Sequence, residues 1–130
     1  MRELKFRVWT GNKMEYNVMV GFLGAFYVQG INPHDSACLS SFNTIYSKET
    51  PVMQFTGLKD STGKDIYEGD IIFDGESSTK IMKKFFIEYN KDYGRFTAIG
   101  VGRESWTWVL DIRSTGKVVG NIFENLELLK

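Results

Sequence analysis

The feature that most limits what this chain can fold into is its spelling of short alternating runs cut off by turn residues. In "KIMKKFFIEYNKDYGRFTAIGVG" (80–102), Ile81, Lys83, Phe85, Ile87 and Tyr89 alternate with Met82, Lys84, Phe86, Glu88 and Asn90 before "KDYG" turns the chain. Side chains on an extended strand point to opposite faces in turn, so this pattern suits a strand and opposes a helix. The same spelling opens the chain. Leu4, Phe6 and Val8 alternate with Glu3, Lys5, Arg7 and Trp9, "TGNK" (10–13) provides a turn, and the return runs through Met14, Tyr16 and Val18. Gly11 and Asn12 both tolerate positive φ, which such a turn requires.

Further runs follow. "GFLGAFYVQG" (21–30) is expected to be one strand, since a helix would absorb Gly21 and Gly24 at ~1 kcal/mol each. Asn, Ser, Thr and Asp then dominate residues 31–50, "INPHDSACLSSFNTIYSKET", and no apolar period survives; a long connection is expected there. Order resumes at "PVMQF" (51–55), then Ile71–Phe73 and the turn "DGES" (74–77). "WTWVLDI" (106–112) would put Trp106, Trp108, Leu110 and Ile112 on one face, and a second "STGK" (114–117) leads into "VVGNIF". The spacing differs from that after the first "STGK" (61–64), so the two are one turn solution used twice rather than a duplicated unit. Regularly spaced short strands indicate an antiparallel barrel or sandwich. "ENLELLK" reads as a short terminal helix with Asn125 as N-cap.

Composition narrows the function classes. Sixteen basic residues balance sixteen acidic ones, which opposes a strong non-specific polyanion binder, whose affinity comes from excess Lys and Arg. Cys38 is the sole cysteine, so no intrachain disulfide can form. Without a signal-like start or an apolar run near ~20 residues, the chain is expected to be soluble and cytoplasmic, away from membranes.

Motifs that invite chemistry weaken when spelled out. A phosphate-binding loop has four residues between its glycines and Lys followed by Ser or Thr, whereas five residues separate Gly57 from Gly63 and Asp65 follows Lys64. Asp60, Asp65, Glu68 and Asp70 could gather a cation or do acid–base work only with partners converging from elsewhere. The plainer reading is a strand-entry turn, with Gly69 at positive φ and Asp70 capping backbone donors. His34 and Cys38 cannot by themselves fill a zinc site. The remaining candidate is a basic–aromatic sheet face for nucleic acid, using Arg7, Trp9, Lys83 and Arg95. Most such aromatics fill cores instead.

"MQFTGLKDSTGKDIYEGDII" (53–72), with "RELKFRVW" near the start and "GNIFENLELL" (120–129) at the end, resembles the YopX family of bacteriophage and prophage proteins. Members commonly read "GNIYENPELL" in the last block; here Phe123 and Leu126 replace the Tyr and the Pro. The resemblance implies a phage origin, a mostly-β fold, and no catalytic residue or cofactor to carry over. It also implies that Thr56, Gly57, Gly63, Lys64, Tyr67, Glu68, Gly69, Asp70, Gly120 and Asn121 are architectural. "EGDII", a turn and the following strand are similar to the opening of SH3-like barrels.

The expected fold is mainly β: an N-terminal hairpin region with a polar loop (1–50), then an SH3-like barrel (51–130) ending in a short helix. The expected function is non-enzymatic, without cofactor or metal, through binding of a phage or host protein or through self-assembly. Nucleic-acid binding is the alternative and an enzyme the third reading. Self-assembly is expected because Pro33 and Pro51 protect no strand edge, and Trp9, Met14, Met19, Phe22, Leu23 and Phe26 exceed what one small barrel covers.

Overall fold

The computed structural model describes residues 2–16, 18–21, 24–28, 42–45, 51–75, 83–102, 107–109 and 116–130. These residues form a mainly β protein with antiparallel ladders and almost no helix. Two compact units result, Glu3–Gln54 as the first and Phe55–Lys130 together with Met1–Arg2 as the second.

In the first unit, β1 (Phe6–Trp9) pairs antiparallel with β2 (Met14–Glu15), and Thr10 N–H donates to Lys13 O to close the expected turn. Gly11 there has φ of 102°. The other side of β1 pairs with the start of β6 (Val52–Lys59), with Arg7 opposite Met53. Alternation fails along β1. Arg7 and Val8 are both buried, so neither face of the strand is open to water, while Leu4 lies before the strand and is exposed.

The strand expected at 21–30 is shorter, and its first residue, Gly21, ends the strand before it. β3 (Val18–Gly21) and β4 (Gly24–Val28) pair with each other, Gly21 opposite Gly24, so the glycines that argued against a helix mark the ends of a tight hairpin. The polar stretch 31–50 also contains a strand, β5 (Phe42–Ile45), laid antiparallel on β4 with a bulge at Tyr27/Val28. Main-chain bonds to a neighbour supply what its own apolar pattern does not signal.

In the second unit, β6 continues into a hairpin with β7 (Asp65–Tyr67). β8 (Asp70–Asp74), β9 (Lys83–Asn90), β10 (Arg95–Gly100) and β11 (Thr107–Val109) form a meander. β12 (Lys117–Asn121) returns to the other side of β8. Ile66, Ile72, Ile87 and Ala98 make the core, with Phe85, Phe96 and Val118 packed against it. Ile71 and Ile72 point to opposite faces, yet both are fully buried, so β8 is covered on both sides. The terminal helix is one 3₁₀ turn, Leu126–Leu129, and its last residues are tied down by Lys84 Nζ donating to Leu128 O (2.7 Å). Trp106, Leu110 and Ile112 lie outside the described residues, as does the side chain of Trp108.

Candidate functional site

The motif at 56–70 is built from its own hydrogen bonds. Asp60 N–H donates to Lys64 O and Gly63 N–H to Asp60 O, which closes the turn between β6 and β7 with Gly63 at φ 88°. The Asp60 carboxylate sits beneath this turn, 7 % exposed. Its Oδ1 accepts from Thr62 N–H (2.8 Å), Thr62 Oγ1–H (2.6 Å) and Lys64 N–H (3.0 Å), and its Oδ2 accepts from Val118 N–H (2.9 Å). Ser61 N–H adds a bond to Gly116 O. The first "STGK" turn thus clasps the end of the second: Asp60 takes the Val118 N–H of β12, and Ser61 takes the carbonyl of Gly116 just before it. Burial alone would push the Asp60 carboxyl up, but the bonds from the Thr62 hydroxyl and from the Val118, Lys64 and Thr62 amides outweigh it and hold the pKa at about 2.

The other polar motif residues are similarly spent. Thr56 Oγ1–H donates to Ile66 O and accepts from Leu58 N–H, spanning the irregularity in the β6–β7 ladder where Gly57 takes φ of 86°. Asp65 pairs with Lys59. Asp70 is buried, and its Oδ2 accepts from Tyr67 N–H at 2.8 Å across the turn at Glu68–Gly69. Gly69 has φ of 81°; its N–H donates to Ile87 O and its carbonyl accepts from Ile122 N–H. Tyr67 is buried against Phe55. Lys64 is exposed, and no helix follows it to complete an anion site.

A second lock closes the C-terminus. Asn121 Oδ1 accepts from Phe123 and Glu124 N–H, and Asn125 Oδ1 accepts from Asn121 N–H. Asn125 stands at the N-cap position but makes no side-chain cap bond to the 3₁₀ turn, because its carboxamide oxygen faces backward to Asn121. That approach requires Gly120: a Cβ there would lie 2.4 Å from Asn125 Oδ1.

The four residues considered for nucleic acid are divided between the two units, Arg7 and Trp9 in the first and Lys83 and Arg95 in the second. Arg7 is 2 % exposed, with its guanidinium 5.9 Å from the Tyr16 ring centroid, and Trp9 is half-buried in the same unit. Lys83 begins β9 opposite Asp74, whereas Arg95 pairs with Asn90 at the far end, ~20 Å along the strand. Arg95 belongs to a different grouping, the tip of the β9–β10 hairpin. There Asn90 Oδ1 accepts from Asp92 and Tyr93 N–H, and Gly94 turns the chain at φ 62°. Tyr89 stacks edge-on to Phe96 and brings its hydroxyl to 3.7 Å from where a Gly94 Cβ would stand. Tyr93 is 72 % exposed, with the Arg95 guanidinium 5.0 Å from its ring centroid. "KDYGR" gave Tyr93 and Arg95 as neighbours in sequence; their stacking needed the turn.

Among the described residues, no group of three or more His, Cys, Asp or Glu is placed to hold a metal ion, and no helix is long and apolar enough to cross a membrane. His34 and Cys38 lie outside the described residues.

These features define a class: a small antiparallel β protein whose signature residues are hydrogen-bonded into turns. Within it, the chain belongs to the YopX protein family, whose profile it matches over residues 5–130. Protein EF1440 from Enterococcus faecalis, a crystal structure, is 26 % identical, with both chains fully covered and a TM-score of 0.65. YopX from Bacillus subtilis, also a crystal structure, is 18 % identical over the whole of both chains, with a TM-score of 0.61. No curated protein matches the chain.

Proposed function

We propose that this chain is a non-enzymatic accessory protein of phage or prophage origin that acts in the host cytoplasm by binding another macromolecule or copies of itself. One observation carries the reading. The side chains in the 56–70 motif best suited to chemistry, Thr56, Asp60, Asp65 and Asp70, are each engaged with their own turn or neighbouring strand. Groups committed to fixing a backbone are not poised to move protons or hold a cofactor. The SH3-like reading of the second unit has support in its connectivity: a meander from β8 to β10, and a last strand that returns to pair with β8.

Titration calorimetry with ATP and Mg²⁺ tests the non-enzymatic reading. No heat of binding is expected from the purified protein. Tight binding that Lys64→Ala abolishes at unchanged melting temperature would overturn it.

A further inference from the structure

We propose that the tip of the β9–β10 hairpin is a contact site for single-stranded nucleic acid, with Tyr93 as the stacking platform and Arg95 and Lys91 as phosphate ligands. The proposal rests on the reading of the chain as a binding module and names the partner and the place. Lys91, Tyr93 and Arg95 stand at alternate positions around one turn, cation, aromatic, cation, and all three are exposed.

Their chemistry is uncommitted. Among the described residues, the Arg95 side chain is shown only against the Tyr93 ring, and the Lys91 side chain has no hydrogen bond or ion pair. A guanidinium lying against an aromatic ring keeps its in-plane N–H donors pointing outward, where a phosphate can take two at once. The tip is also already shaped. Asn90 fixes the backbone of Asp92 and Tyr93, and Tyr89 packs on Phe96 beside Gly94, so little conformational entropy is left to lose on binding.

The strandedness follows from the exposed ring. A tyrosine face stacks on a base only if that base is unpaired and unstacked, which a duplex does not offer. The balanced net charge of the chain points the same way, because it removes the broad positive face that duplex binding uses. Two cations against the single acid Asp92 make the tip locally positive.

Fluorescence anisotropy with labelled 15-mers of dT and rA, and with a duplex of the same length, at 50 and 200 mM NaCl, tests the site. Single strands are expected to bind more tightly than the duplex. Tyr93→Ala should weaken single-strand binding about tenfold, the loss of one stacked base, while Tyr93→Phe retains it. Arg95→Ala should lower the slope of log affinity against log salt by about 0.7, one phosphate contact on a single strand. Lys64→Ala serves as the unaffected control, and circular dichroism melts confirm that the exposed substitutions leave the fold intact. Absence of single-strand binding at 50 mM NaCl, or binding indifferent to Tyr93→Ala, overturns the proposal. Tyr93-dependent binding of a labelled poly-Glu peptide without oligonucleotide binding also overturns it, while leaving the binding-module reading standing.

Discussion

Replacing Asp60 by Asn should remove the charge that holds the 60–64 turn to β12 while keeping the side chain's shape. The folded-state pKa of about 2 lies below the ordinary 3.8, so the ionised carboxylate favours the folded chain. The difference is nearly two pKa units, about 2–3 kcal/mol at ~1.4 kcal/mol per unit. This is a substantial share of a typical domain's net stability of about 5–15 kcal/mol. Urea unfolding at pH 7, followed by tryptophan fluorescence, should show the Asp60→Asn midpoint lower by roughly 1 M, taking a slope of about 2 kcal/mol per M. The pH dependence is the sharper part of the test. The wild-type contribution is fully present well above pH 3.8 and is lost as pH falls from there toward 2, when the carboxyl takes up its proton in the folded state. Wild type and variant should therefore converge in stability across that window. Equal midpoints at pH 7, or a gap that stays constant down to pH 2, would refute the assignment of this stability to the carboxylate.

Gly120→Ala should cost roughly 1–3 kcal/mol, because the new methyl would overlap the Asn125 carboxamide. In an Asn125→Ala background that cost should shrink, and equal costs in both backgrounds would show that the clash is not the cause. Gly69→Val should lose a similar roughly 1–3 kcal/mol through strain at positive φ, with Gly69→Asn milder; a Gly69→Val melt matching wild type would disprove it. Light scattering at micromolar concentration should give a mass above that of one 14.9 kDa chain if the protein self-associates, and a concentration-independent monomer would exclude the oligomer.

Turns were legible in the sequence where their causes are local. Gly63, Gly69 and Gly94 each sit at positive φ beside a residue whose side chain or carbonyl closes the turn within a few positions. The β9–β10 hairpin was equally legible, since its alternation and its "KDYG" turn adjoin. What escaped depends on distant partners. Asp60 reads as an ordinary turn residue in "KDSTGK", and nothing near it announces that Val118, 58 positions later, is its fourth donor. Arg7 reads as solvent-facing by alternation, but alternation assumes one wet face, and β1 at Arg7–Val8 has none. β5 was hidden because Phe42 and Ile45 are too few to show a period; its evidence lies in β4. Of the candidate binding residues, Arg7 is buried although its partner Tyr16 is exposed, whereas Arg95 and its partner Tyr93 are both exposed.

The clasp also bears on how this chain can vary in length. The described strand partner of β12 is β8, and Asp60 adds a bond to its Val118 N–H; both precede it by more than forty positions. The register of the last strand is thus read from a fixed frame and not counted along the chain. Lengthening a closed loop twofold costs only ~0.6 kcal/mol in entropy. A change of chain length ahead of β12 is accordingly expected to leave its pairing with β8 in place.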